Sequence, residues 1–267
     1  MPIKINAHFA FETEAPTDVL LQFKAAHIPE QTIEQKKFEV TDTLDCATVA
    51  AQDDIGERIW LHSDGRVDVN YEALATIDRV LPDLPDMAQL PAHAMPSSVV
   101  QYMFDSRYCP ADRFQSFVGA QFGDTTGGKR IQAIHDWIAE NFSYVPGASG
   151  PNTTALDSFV ERQGICRDYA HVMVTMARAS TIPARFVSCY APGVTPQDFH
   201  AVAEVFLADP TIADGGMWHL VDATNMGTAS DIVKIGVGRD AADVSFLTSF
   251  GPSSFIEKTI EVSQVGG

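Results

Sequence analysis

Cys166-Arg167-Asp168-Tyr169-Ala170-His171-Val172-Met173-Val174-Thr175-Met176-Ala177-Arg178-Ala179 is the stretch whose periodicity decides the fold. Arg167, His171, Thr175 and Arg178 recur at helical spacing, while Cys166, Tyr169, Ala170, Met173, Met176 and Ala177 fall on the other side. The spacing predicts an amphipathic helix opened by a cysteine, with a solvated polar stripe and an apolar face against a core. Pro183 stops it, because proline lacks the N–H a helix needs and clashes with the preceding turn. Beyond it, strands are predicted over residues 185–190, 200–207 and 217–223. Helices followed by an antiparallel sheet give an α+β class.

Working upstream, Ile131, Ile134, Ile138 and Phe142 around Trp137 form a second apolar helical face, entered through Thr125-Thr126-Gly127-Gly128. Thr154-Ala155-Leu156-Asp157 reads as a capping box opening a short helix that ends before Gly164. Four of the 15 prolines, Pro82, Pro85, Pro91 and Pro96, crowd a stretch too short for a regular element. We place a boundary there, giving an all-β, sandwich-like N-terminal domain over 1–85 and a catalytic domain over 86–267. Within the first, Ile3, Ile5, Ala7, Phe9 and Phe11 alternate with polar residues as a half-buried strand. Residues 37–40 read as another strand, and 58–61 and 67–71 read as a hairpin turning through His62-Ser63-Asp64-Gly65-Arg66.

The chain has 267 residues, 45% hydrophobic and 20% charged, ordinary globular composition long enough for a sizeable core. Asp and Glu number 35 against 18 Lys and Arg, a formal charge of -17. Such a field repels phosphate backbones and anionic lipid, so neither nucleic acid nor a membrane surface is an expected partner. It would steer a cationic peptide, and it is equally an ordinary solubility feature. No run approaches the about 18 apolar residues of a spanning helix. The N-terminal stretch carries no signal-peptide core, so the expected location is cytoplasmic. The four cysteines, Cys46, Cys109, Cys166 and Cys189, are widely spaced and form no C-x-x-C pair, which indicates free thiols and no zinc knuckle.

A cysteine in the first turn of a helix sits among unpaired N–H groups at the positive dipole end, where the thiolate is favoured. Cys166 alone has that position, so it is the candidate nucleophile; the other three are read as small buried hydrophobes. The strands over 200–207 and 217–223 are joined by the turn-rich 209–216 segment. Antiparallel pairing about that loop brings the start of one strand to the end of the other, setting His200 beside Asp222. A carboxylate on one imidazole nitrogen with the other left free is a general base with its orienter. His219 alternates to the face opposite Trp218, Leu220 and Asp222 and is set aside as a rival base. His171 is read as solvated, and His135 as a packing or surface residue.

These residues resemble a known family. Gly164-Ile165-Cys166-Arg167-Asp168-Tyr169-Ala170-His171, Ile182-Pro183-Ala184-Arg185-Phe186-Val187, His200-Ala201-Val202-Ala203-Glu204-Val205-Phe206 and Trp218-His219-Leu220-Val221-Asp222-Ala223-Thr224-Asn225 look like the core of bacterial transglutaminase-like proteins, often described as candidate cysteine proteases. The likeness extends over residues 134–138, 142–147 and 237–244, and the N-terminal part is similar to the sandwich-like domain before this core in many members. It implies a papain-like arrangement, with the nucleophile's helix packed on an antiparallel sheet carrying histidine and aspartate. It also implies Cys166 as nucleophile, His200 as general base and acid, and Asp222 as orienter. It supplies no substrate, since such cores hydrolyse peptides, transamidate glutamine or cleave other amides.

The expected chemistry is acyl transfer from a peptide or other amide carbonyl through a Cys166 thioester, with hydrolysis preferred to transamidation. Only 33 residues separate Cys166 from His200, leaving little room for a lid. The rival is a catalytically silent member that binds a protein partner. The Cys166 N–H is the expected oxyanion donor, Tyr144 and Trp218 are candidate pocket walls, and Arg167 and Asp168 are candidate supports of the helix start. No metal or other cofactor is expected, and oligomeric state is not legible.

Overall fold

The computed structural model describes residues 1–41, 43–209, 211–212 and 215–266. The strands β1 (Ile3–Leu21), β2 (Gln31–Val40), β3 (Asp45–Ala50) and β4 (Glu57–Ile77) come first. Short 3-10 turns at 84–86 and 92–94 occupy the proline-rich stretch, followed by helices α1 (Ser97–Val100), α2 (Gln115–Phe122) and α3 (Gly127–Asn141). Then come β5 (Ser143–Tyr144), α4 (Ala155–Glu161), β6 (Gln163–Gly164), α5 (Cys166–Ala179), β7 (Ala184–Tyr190), β8 (His200–Ala208), β9 (Gly216–Val221) and β10 (Val233–Gly238). β11 (Leu247–Ser249) and β12 (Ser253–Gln264) close the chain. Among the described residues no helix is long and apolar enough to cross a membrane.

The all-β part is one six-stranded antiparallel sheet built on two long central strands, β1 and β4. β4 runs unbroken through 62–66, so the expected hairpin there does not form. The slack is taken by β1, whose register against β4 shifts between Thr13 and Thr17 while Gly65 sits at φ 86°. A bulge bends both strands without ending them, and glycine takes that backbone conformation without a Cβ penalty. The alternation expected for β1 holds except at Ala10, which is also buried: Ile3, Ile5, Phe9, Phe11, Val19 and Leu21 are buried and meet Ile59, Leu61, Val67 and Tyr71 of β4.

The second sheet runs β10-β7-β8-β9, all antiparallel. One face carries Ala203, Val205 and Leu207 into the core with Val172, Met173, Met176 and Ala177 of α5 and with Ile131, Ile134 and Ile138 of α3. The first sheet covers the region of β10, where Tyr190, Val233 and Ile235 join its own core and the Tyr190 hydroxyl donates to Phe23 O at 2.7 Å. This second sheet, helices on one side and strands on the other, is the papain-like core of an α+β protein.

Two expectations are corrected. A cut at residue 85 does not divide the sheets, because β11 and β12 return from the C-terminus to pair with both ends of β1. Their alternating pattern is weak, since most β12 side chains are exposed. The polar stripe of α5 is also not solvated: His171 and Thr175 are fully buried and Arg178 is 4% exposed. Loops cover that side, and Arg178 serves them by donating to Ala184 O, Phe104 O, Ser106 Oγ and Arg239 O. Of the 209–216 connection, Pro210, Ala213 and Asp214 lie outside the described residues.

Candidate active site

Cys166 is the first residue of α5, and its neighbours are Ala170, Phe186, Ala201 and Val244. The helix start is held from within. Asp168, fully buried, accepts from the Ile165 N–H at 2.8 Å and from the Ser149 hydroxyl at 2.6 Å, and Arg167 reaches its other oxygen at 3.3 Å. A carboxylate in the first turn satisfies an orphan N–H and complements the dipole. Arg167 also donates to Gly150 O at 2.8 Å, tying the 150 loop to the same turn. Gly164 allows this closeness, since a Cβ there would stand 2.6 Å from Asp168 Cβ.

His200 opens β8 and is 2% exposed. Its Nε2–H donates to Asp222 Oδ2 at 2.8 Å, and Nδ1 has no other partner. Burial alone would lower its pKa, but the Asp222 carboxylate and the Cys166 sulfur together hold it up, at about 9. Asp222 lies just beyond β9 and is saturated with donors. Oδ1 accepts the Thr224 N–H and hydroxyl at 2.9 and 2.7 Å, and Oδ2 also accepts the Gly227 N–H at 2.7 Å. Burial opposes its charge, yet His200 and these bonds keep its carboxyl below the usual range. An aspartate so fixed orients an imidazole and stabilises its protonated form.

Cys166, His200 and Tyr144 line one cavity of about 780 Å³. Tyr144 gets there because β5 pairs in parallel with β6, Tyr144 opposite Gly164, two residues before the cysteine. Burial and the adjacent Cys166 push its phenol up, so the hydroxyl keeps its proton. Trp218 is not a wall of this cavity. It lies further along β9 against Tyr102, Phe206 and the Arg185 guanidinium, because the even positions of β9 face away from the helices. His219 is buried opposite Val205, where desolvation lowers its pKa.

The histidine readings need two corrections. His171 is fully buried, stacked on Tyr108 with ring centroids 5.1 Å apart, and its Nε2 accepts the Ala241 N–H at 3.2 Å. Burial keeps it neutral. Tyr108 and Ala241 both line the cavity, so α5 carries the cysteine and also pins two walls. His135 of α3 reaches Asp222 O at 3.2 Å and Asn225 Oδ1 at 3.1 Å, bracing the turn that holds the aspartate. A helix-face histidine before a tryptophan gives no sequence signal for that task.

Among the described residues one group of His, Asp and Glu has cation-like spacing, His8, Asp68 and Glu257, and it sits on the first sheet with Arg66 bonded to both carboxylates. Cys109 and Cys189 are buried, and burial pushes both thiols up, Cys109 to about 12. Cys46, read from the sequence as buried, is exposed on β3.

Residues 116–223 match the model of the transglutaminase-like superfamily. The crystal structure of a candidate cysteine protease from Cytophaga hutchinsonii is similar to this chain with a TM-score of 0.91 and 28% identity, covering 100% of this chain and 91% of that one. An uncharacterized protein of Mycobacterium leprae (strain TN) is 27% identical over 132 residues, 44% of this chain; the match spans 46% of the relative's length.

Proposed function

From the premise that the chain carries a transglutaminase-like domain, a superfamily of cysteine-based enzymes, we propose that it is an acyl-transfer enzyme acting on peptide or amide carbonyls, and that the acceptor is water. The observation that carries this reading is the His200–Asp222 pair, 2.8 Å apart, with the other imidazole nitrogen unpaired and Cys166 on the same open cavity.

In the first half-reaction His200 takes the Cys166 thiol proton as the sulfur attacks the carbonyl carbon, and the C=O electron pair moves to oxygen. The backbone N–H of Cys166, one of the orphan donors of the first helical turn, faces that oxyanion. The Tyr144 hydroxyl, protonated and beside Cys166, is the second donor. Collapse breaks the C–N bond, His200 gives its proton to the departing amine, and a thioester remains. Water then attacks, His200 takes its proton and returns it to the sulfur as the C–S bond breaks, and the acid leaves. Asp222 keeps the imidazole in one tautomer throughout.

Water is preferred as acceptor because the segment between nucleophile and base is α5, β7 and the 191–199 loop, with no separate lid element. Amine transfer needs a site that holds water from the thioester. The test is mass spectrometry after incubation with a peptide library and a millimolar primary amine. Free acid as main product supports hydrolysis. Amine adducts at neutral pH reverse it to transamidation, and no change with intact protein overturns the enzymatic reading.

A further inference from the structure

Charge inside the cavity runs against charge on the molecule. The chain bears -17 overall, yet the cavity is lined by Arg107, Arg167 and Lys258 against one carboxylate, Asp198. Lys258 and Asp198 cancel each other at 2.6 Å. Arg167 is spent on Gly150 O and the buried Asp168. Arg107 stays exposed, with no carboxylate within ion-pair distance among the described residues. It is not a loosely tethered surface cation. Its guanidinium lies over the Tyr108 ring, 5.0 Å from the centroid, and that residue is held at its backbone, its hydroxyl and one ring face. The Tyr108 N–H donates to Asp240 Oδ2 at 2.9 Å, its hydroxyl to Pro151 O at 2.7 Å, and its ring stacks on buried His171.

A guanidinium stacked on an immobilised ring presents a planar fork of N–H donors at little entropic cost, and the group matching that fork is a carboxylate. Most of the other walls of the cavity are apolar, Phe186, Phe199 and Phe246 among them. We propose that Arg107 is a specificity-determining residue that binds a carboxylate of the peptide substrate, so that the preferred substrates are acidic peptides with apolar neighbours. The net charge of the whole chain, which would steer a cationic peptide, is overridden locally because a contact ion pair in a walled cavity outweighs a diffuse field screened within about 10 Å.

This inference rests on the proposed reaction for its meaning, and its test is separable from it. The probes are N-acetylated, C-amidated eight-residue peptides of Ala, Leu and Phe in which one Glu, Gln or Lys is moved along the sequence. A second set has a free C-terminal carboxylate and no Glu. Binding to the Cys166→Ala protein is measured by calorimetry, so turnover plays no part. At one Glu position, or for the free carboxylate, affinity should exceed that of the matched neutral peptide by about tenfold. The ratio should fall to about one in the Arg107→Gln, Cys166→Ala double variant, and Arg107→Glu should turn the preference toward Lys. Whichever set shows the gain names the source of the carboxylate. Equal binding of Glu and Gln peptides, a preference for Lys with Arg107 intact, or no measurable binding overturns the proposal. Acylation of Cys166 in the unsubstituted protein by neutral peptides is read separately by mass: acylation without carboxylate preference sinks this inference alone. Carboxylate preference without acylation sinks the reaction alone.

Discussion

His200 and Asp222 meet at 2.8 Å although they are not cross-strand partners. The β8–β9 ladder begins at Ala203 opposite Val221, and carried on it would set Asp222 across from Val202, two residues from His200. The contact is therefore a diagonal one, within reach of long side chains, and it forms where the strands have stopped pairing. Thr224 and Gly227 are free there to close a turn around the carboxylate.

The held-up pKa of His200 gives a pH prediction. A folded-state pKa of about 9, above the ordinary 6.5, means that the imidazolium's contribution to stability is complete below about 6.5 and is lost as pH rises through about 9. If the imidazolium is also the proton donor to the leaving group, kcat/KM declines on the alkaline side with a midpoint near 9. Asp222→Ala should move that limb to lower pH. Asp222→Asn should lower kcat by roughly four orders of magnitude with the fold retained by circular dichroism. A limb that stays put in Asp222→Ala assigns it to another group.

Thiol reactivity should discriminate among the four cysteines. Burial pushes up Cys109 and Cys189, so neither is alkylated in the folded protein. Cys46 is exposed on β3 and does not line the cavity, which makes it the internal reference. With iodoacetamide near pH 6, Cys166 should label about tenfold faster than Cys46, by peptide mass mapping. Equal rates would remove the case for an activated nucleophile.

Tyr144→Phe deletes one hydroxyl beside the cysteine and keeps the ring. If that hydroxyl donates to the oxyanion, kcat falls about 100-fold while KM is nearly constant, because the bond strengthens only in the transition state. A loss confined to KM makes Tyr144 a wall and leaves the second donor elsewhere.

Beneath the site, Glu204 lies fully buried between Arg185 and Lys234, with Arg185 Nε at 2.8 Å. Burial opposes its charge, but the two cations hold its pKa down, at about 2. Its contribution to stability is thus present above about pH 4.5 and is lost as pH falls toward 2. Asp53 and Glu30 of the first sheet's loops reach the same cations at 2.9 and 2.6 Å, so this network fastens the two sheets together. Glu204→Gln should cost about 3 kcal/mol by denaturant unfolding. A cost below about 1 kcal/mol would show that Asp53 and Glu30 alone suffice for the cations.

Local rules made much of this protein legible from its sequence. The helix Cys166–Ala179, the Thr154 capping box and the strands carrying His200 and Trp218 follow from periodicity, proline and capping chemistry, interactions among residues a few positions apart. The adjacency of His200 and Asp222 was legible too, because an antiparallel hairpin constrains which strand ends can meet. What only the tertiary structure decided depends on residues far apart in the chain. β12 pairs with β1 across the whole length of the sequence, and β4 continues through a turn-like segment because β1 bulges to follow it. His171 and Arg178 look solvated on a helical wheel, yet loops from residues 104–108 and 239–241 bury them and use them as anchors. A hydrophobic period reports which side chains can leave water; it carries no information on which polar ones will be covered, since that requires partners brought from elsewhere in the chain to satisfy them.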